Sequence, residues 1–206
     1  MKKTLASIAL ACAALSSALP SQAAIVVSLV PSATHINVGD TVTVAVNISG
    51  LGGEIASGYD LKLLFAPSVL AAGSITLFLA EFGGLANTST SASFGTGFVA
   101  ANLVSLLDDP ALSADQSDVF TLLSLSFNGL ADGTSSLSFG LDPDYERNVV
   151  GLDAATLDAA FGSICIEVGN GQCTVPEPST YALLGVALAG MLVPTVRRSR
   201  RQARKA

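Results

Sequence analysis

The sequence has 206 residues and contains a single histidine, His35. With only one imidazole, neither a Ser-His-Asp triad nor a zinc site built on several histidines can be assembled in the usual way. G-x-S-x-G, P-loop and H-E-x-x-H motifs are also absent. Paired carboxylates could in principle hydrolyse glycosides, but Asp108 and Asp109 directly precede Pro110, which is typical of a turn. We therefore expect a non-catalytic protein in which His35 is structural or solvated.

Aromatic residues are also scarce. There is no tryptophan, and Tyr59 and Tyr145 are the only tyrosines between the two terminal segments. A flat aromatic platform for a crystalline polysaccharide is therefore not expected. Tyr59 falls on the inward side of a predicted strand, which favours core packing. Tyr145 lies in the polar stretch DPDYERN and is the candidate for a ligand contact.

Basic residues are rare in the central part of the chain. Between Ile25 and Thr174, Lys62 and Arg147 stand against fifteen acidic residues, a formal charge of −13. Such a surface repels phosphate groups, which excludes nucleic acid and anionic lipid headgroups as partners. It is compatible with neutral or cation-rich polymers.

Acidic residues alternate along the segment that contains Tyr145. Asp142, Asp144 and Glu146 have a spacing that suggests calcium, but Arg147 stands where an EF-hand requires glycine. We expect a solvated acidic loop and no cofactor. A looser calcium site on Asp142, Asp144 and Glu146 is the alternative.

The N-terminus has the three parts of a secretory signal. Lys2 and Lys3 precede an apolar run from Leu5 to Leu19, and the small residues up to Ala23 form a cleavage box. Residues 1–24 are therefore predicted to be a signal peptide, and the mature protein is predicted to be exported.

The C-terminus has a second apolar segment. Residues 181–196 carry no charge, and residues 197–206 carry six positive charges and no acid. A sixteen-residue helix is about 24 Å long, and it can still span a membrane if arginines snorkel at one end. The positive-inside rule places the basic tail in the cytoplasm. We predict one transmembrane helix at 181–196 with the body of the protein outside.

An extended element comes directly before this span. Pro176, Glu177 and Pro178 cannot continue a helix, and with the apolar run and the basic tail they resemble the PEP-CTERM sorting signal of Gram-negative bacteria, at residues 175–206. The resemblance implies that an exosortase recognises Pro176, Glu177 and Pro178. It also implies an inner-membrane intermediate and a final place at the cell surface or in the extracellular matrix.

The central part has the period of β-strands. Valines alternate with small or polar residues in TVTVAVNI, and Asp60 and Lys62 alternate with the inward set Tyr59, Leu61, Leu63 and Phe65. Strands are predicted at 25–30, 41–48, 59–65, 75–79, 123–127, 137–139 and 163–168. The strands at 123–127 and 137–139 are predicted to form a hairpin around Ala131-Asp132-Gly133. Short helical turns are predicted at 67–71 and 154–160. About eight or nine strands indicate an all-β sandwich.

Two stretches of this body resemble a known family. VGDTVTVAVNISGL followed by GYDLKLLFAPSVLAAGSI is similar to the first third of a cohesin domain. The resemblance implies a jelly-roll β-sandwich of about nine strands at residues 25–174, which binds dockerin modules or takes part in polysaccharide systems. The expected function is a non-catalytic surface or matrix protein associated with extracellular polysaccharide or biofilm. The alternative is a carbohydrate-binding or dockerin-binding module of a polysaccharide catabolic system.

Two cysteines remain after removal of the signal peptide. Cys165 and Cys173 flank a glycine-rich turn, Gly169-Asn170-Gly171, in an exported chain. An oxidising periplasm would pair them. We therefore predict a disulfide bond between Cys165 and Cys173 and no metal site at these thiols.

Overall fold

The computed structural model describes residues 25–114, 116–141 and 148–173. The chain divides into two units, Met1–Gln172 and Cys173–Ala206, and Cys173 is the only described residue of the second. The predicted signal peptide, the 142–147 loop, the Pro-Glu-Pro element and the apolar run at 181–196 all lie outside the described residues. Within the described ranges, none of the helices has the length and apolar character that a membrane crossing requires.

Twelve strands and one short α-helix follow one another along the described residues. The strands are β1 (Ile25–Pro31), β2 (His35–Ile36), β3 (Thr41–Ser49), β4 (Gly58–Leu64), β5 (Leu70–Leu77), β6 (Thr88–Gly95), β7 (Phe98–Ser105), β8 (Phe120–Gly129), β9 (Gly133–Phe139), β10 (Asn148–Val150), β11 (Ala159–Phe161) and β12 (Ile164–Val168). The helix α1 is Asp109–Ser113, and 3-10 turns occupy Ala80–Phe82, Leu85–Asn87 and Leu152–Ala154.

The strands form two sheets. The five-stranded sheet has the order β11-β1-β3-β8-β5. The seven-stranded sheet has the order β2-β12-β9-β4-β7-β6, with β10 paired to β4 beside β9. The all-β sandwich is therefore confirmed. It has twelve strands rather than about nine. The sequence pattern placed no strand at β6 or β7, and β2, β10 and β11 are only two or three residues long, too short to show a period.

The core lies between the two sheets. Val42, Val44, Val46 and Ile48 of β3 are at most 1% exposed, and they alternate with exposed or half-buried neighbours. The predicted inward set of β4 and Phe65 is likewise buried. Burying each such side chain contributes roughly 1.5–3 kcal/mol. The predicted registers of β3 and β4 are confirmed.

The predicted hairpin at Ala131-Asp132-Gly133 is wrong. β8 pairs with β3 and β5, whereas β9 pairs with β12 and β4. The connection therefore crosses from one sheet to the other. Both strands bury one face in the same core, so alternation alone cannot distinguish neighbours within a sheet from strands that face each other across it.

The helical turn predicted at 154–160 is also wrong. Asp153 and Ala154 have left-handed backbone angles, with φ of 54° and 56°. The chain then enters β11, which pairs in parallel with β1. Tertiary strand pairing overrides the helix propensity of the alanines here. Of the turn predicted at 67–71, residues 67–69 form a single turn, in which Val69 and Leu70 both donate to the carbonyl of Ala66, and β5 begins at Leu70.

Candidate functional site

A row of polar side chains crosses the outer face of the seven-stranded sheet. Ser91, Asn102, Asp60 and Asn148 are register partners on the neighbouring strands β6, β7, β4 and β10. Asp60 lies between the buried Tyr59 and Leu61, and Asn102 lies between the buried Ala101 and Leu103. These two side chains and those of their register partners therefore project to the outside. We call these four residues the polar row.

A cleft of about 160 Å³ opens beside the polar row, between β10, β4 and β7. Its lining includes Ser57, Gly58, Asp60, Asn102 and Asn148. A Cβ atom on Gly58 would lie 2.5 Å from the carbonyl oxygen of Leu103 on the neighbouring strand. Glycine therefore permits the close approach of β4 to β7 that forms the floor of the cleft.

Asn148, which lines this cleft, has a side-chain oxygen without a hydrogen-bond donor. The Asn148 amide nitrogen lies 3.5 Å from the hydroxyl of Thr156, but Asn148 Oδ1 is buried and has no hydrogen-bond partner. Leaving a buried acceptor unsatisfied costs about 1–3 kcal/mol. A ligand N–H or O–H group in the cleft would recover that cost once the Asn148 amide turned its oxygen toward the cleft.

An apolar and cationic surface adjoins the polar row. Lys62 follows Asp60 by two residues on the same side of β4, which places the two side chains about 7 Å apart. The Lys62 ammonium lies 4.3 Å from the ring centroid of Phe98. The Phe98 ring covers Gly95, where a Cβ atom would clash with it. This part of the face therefore offers a positive charge and a flat ring next to the Asp60 carboxylate.

The outer face of the five-stranded sheet is different. Its polar side chains satisfy one another across the strands: Thr41 donates to Asn128 over 2.6 Å, and Thr121 donates to Asn47 over 2.9 Å. The outward residues of β3, β8 and β5, which run from the centre of this sheet to one edge, carry no charge. Polar groups that already pair with each other have little to gain from a ligand. The polar row is therefore the stronger candidate for a binding site.

The residues singled out in the sequence are dispersed in the structure. Tyr59 is 1% exposed and packs edge-on against Phe82, with ring centroids 5.8 Å apart, which confirms its place in the core. His35 is exposed, and its Nδ1 lies 3.4 Å from a carboxylate oxygen of Glu167. Asp108 accepts a hydrogen bond from the Ala111 backbone and caps α1, as expected of turn chemistry.

Cys165 and Cys173 are both disulfide-bonded. The chain has only one other cysteine, Cys12, so the two must share one bond. The predicted disulfide is confirmed.

Tyr145 and the calcium candidates Asp142, Asp144 and Glu146 lie outside the described residues, as do Pro176, Glu177 and Pro178. Across residues 25–114, 116–141 and 148–173, no three His, Cys, Asp or Glu side chains are grouped so that they could hold a metal ion.

Sequence reasoning did not find the polar row. Asp60 was visible as an outward residue of its strand. Asn102 and Asn148 become its neighbours only through pairing between β4, β7 and β10, which are separated by long stretches of chain.

The C-terminal segment matches a family model. Residues 174–201 match the PEP-CTERM protein-sorting motif, as the sequence predicted. This motif indicates an exported protein that is sorted by an exosortase. No functionally curated protein matches the chain.

The sandwich is similar to solved cohesin structures. A type II cohesin domain from the cellulosome of Acetivibrio cellulolyticus has a TM-score of 0.59 and 20% identity, over 69% of this chain and 95% of that one. The sixth cohesin of scaffoldin B from the same organism, solved in complex with a Cel5 dockerin, has a TM-score of 0.55 and 16% identity, over 71% and 99%. A cohesin module from a Clostridium perfringens family 33 glycoside hydrolase has a TM-score of 0.53 and 14% identity, over 72% and 99%. The chain therefore combines a cohesin-like fold with a PEP-CTERM sorting signal.

Proposed function

We propose that this chain is a non-catalytic docking module that an exosortase sorts to the cell surface or extracellular matrix of a Gram-negative bacterium. We further propose that it holds a protein partner of that matrix on the polar row and the adjoining surface of Lys62 and Phe98. The observation that carries this proposal is the cleft in this sheet face, which Asn148 lines and beside which its oxygen is unsatisfied.

A protein partner suits this face better than a glycan. Tyr59 is buried and the chain has no tryptophan, so the described residues offer no Tyr or Trp ring on which a sugar could stack. The amides and the carboxylate of the polar row, together with the adjoining Lys62 ammonium, can meet backbone and side-chain groups of a folded partner. The fold supports the same choice, because one of the similar cohesins was solved with a dockerin bound.

Association with extracellular polysaccharide or biofilm is the second part of the proposal. It is supported by the sorting motif and by the acidic, lysine-poor body, which suits a hydrated matrix of neutral or cationic polymers. A carbohydrate-binding or dockerin-binding role in polysaccharide breakdown is the alternative. In that role the partners would be catabolic enzymes or their substrates.

The experiment compares two asparagine-to-arginine variants of the full-length chain in its native host. Asn102→Arg places a bulky cation in the polar row, and Asn128→Arg places the same side chain on the outer face of the other sheet. We expect Asn102→Arg to release the processed protein from the matrix into the medium and Asn128→Arg to leave it retained. Equal retention of both variants would contradict docking at the polar row.

A glycan array and hydrolysis assays complete the test. We expect that any glycan binding by the wild-type chain is unchanged in Asn102→Arg. We also expect that the chain hydrolyses no glycan on the array. Glycan binding that Asn102→Arg abolishes would replace the protein partner with a carbohydrate. Hydrolysis would overturn the non-catalytic assignment.

A further inference from the structure

One edge of the seven-stranded sheet is a long, regular strand. β6 pairs with β7 over eight residues without a register shift, and no strand among the described residues pairs with its other side. Residues 89–92 and Phe94 are exposed. Alternate backbone N–H and C=O groups of β6 therefore point away from β7 as a template for another strand.

The other sheet edges are protected. β2 and β11 are only two and three residues long, and β5 is interrupted by a register shift between Ala72 and Ile75. β6 contains no proline, no charge and no bulge, three of the features that usually protect an edge strand. Natural proteins rarely leave such an edge open unless another strand covers it.

We propose that β6 pairs antiparallel with β6 of a second copy of this chain, so that two seven-stranded sheets become one continuous sheet. The proposal rests on the backbone edge of β6 and not on the partner that the polar row binds, although Ser91 belongs to both surfaces.

The charge distribution favours a second copy at this edge. The body carries a formal charge of −13, so two copies repel each other over most of their surfaces. No charged residue occurs between Glu81 and Asp108, a stretch that contains both strands of the β6–β7 hairpin. Two copies that approach by this hairpin bring no like charges together.

The side chains of β6 are self-complementary. Ser89, Ser91 and Ser93 share a side of the sheet with Val104, Asn102 and Ala100, their partners on β7. A two-fold axis perpendicular to the sheet keeps these serines on the same side in both copies, and serine then stands opposite serine near the axis. Each hydroxyl can donate and accept, so identical strands satisfy one another.

Phe94 also gains from this pairing. It shares a side with the buried Val99 but is 49% exposed, because the sheet ends beside it. With the axis at Ser91 or at Ala92, Phe94 lies opposite a threonine of the second copy, Thr88 or Thr90. The pairing therefore covers an aromatic ring that the single copy leaves half in water.

Cross-linking tests the contact directly. The full-length chain is prepared as S91C or as T43C, which places the same thiol on an exposed strand position of the other sheet. Both are treated with a bis-maleimide of about 8 Å reach, which spans direct and diagonal cross-strand neighbours. We expect the dimer to be the main product for S91C and a trace for T43C. The proposal would be overturned if both variants remained monomeric after treatment. It would also be overturned if the S91C chain were cross-linked to a different polypeptide instead of to a second copy.

Sedimentation equilibrium in mild detergent supplies a second readout on the full-length chain. S91E places a carboxylate at the edge, and T43E places the same charge on the other sheet. We expect S91E to raise the dimer Kd at least about tenfold, because like charges then face each other across the pair, and T43E to leave it unchanged. At concentrations where the wild type is monomeric, the melting curves of both variants should match it, since both positions are exposed. An S91E chain that dimerises like the wild type would overturn the proposal and leave dimerisation to another part of the chain.

Discussion

The hydroxyl of Tyr59 donates a hydrogen bond of 3.2 Å to the backbone carbonyl oxygen of Leu122. Tyr59 belongs to β4 and Leu122 to β8, so this bond joins the two sheets through the core. Burial raises the pKa of the Tyr59 hydroxyl, because the low-polarity core disfavours the charged phenolate.

Tyr59→Phe should make the stability of the sandwich less sensitive to alkaline pH. In the wild type the folded pKa of Tyr59 lies above the unfolded value of about 10, so the folded state binds more protons at high pH. The contribution of this raised pKa to the free energy of unfolding is complete below about pH 10. Above that pH it is lost, by up to about 1.4 kcal/mol per pH unit. At pH 8 the variant should lose about 1 kcal/mol with the hydrogen bond. Urea unfolding at pH 8 and near pH 11 checks both statements; parallel losses in the two proteins would contradict the assignment.

Val44→Asp should destabilise the sandwich strongly, whereas Thr43→Asp should be mild. Val44 is fully buried between the sheets and Thr43 is exposed on the outer face. An unpaired carboxylate in the core costs several kcal/mol, while an exposed one usually changes stability by less than about 0.5 kcal/mol. Thermal melts of the two variants make the comparison. Equal decreases in Tm would show that this register is wrong.

Removing the disulfide should cost on the order of 2–3 kcal/mol, because its closed loop is short. Cys165→Ser and Cys173→Ser each break the same bond. The double variant should therefore be no less stable than the less stable single variant. Alkylation of the oxidised wild type followed by mass spectrometry should find no free thiol at either position. Two reactive thiols in protein from the periplasm would contradict the pairing.

Replacing Pro176, Glu177 and Pro178 by alanine should block sorting without blocking membrane insertion. Alanine removes the rigid extended element before the apolar run and favours helix there. The variant should remain in the inner membrane at full length, while deletion of residues 181–206 should release a soluble periplasmic form. Immunoblots of cell fractions distinguish the forms. If the alanine variant is processed and reaches the surface like the wild type, an exosortase does not read this element.

Local patterns in the sequence were enough to predict the all-β class, the registers of β3 and β4, the disulfide and the sorting motif. In each case the signal lies within a few residues. A period of two places Val42 to Ile48 on one face, two exported cysteines flank a short turn, and Pro-Glu-Pro precedes an apolar run and a basic tail. Features that depend on residues close together along the chain can be predicted from a single sequence.

The tertiary structure decided which strands are neighbours. Residues 123–127 and 137–139 looked like a hairpin, yet they lie in opposite sheets. The polar row exists only because β10, β4, β7 and β6 pair in one register. The open edge at β6 depends on where the sheet ends. Alternation records which face of a strand is buried, but it carries no information about the partner across the hydrogen bonds, because every strand presents the same backbone groups.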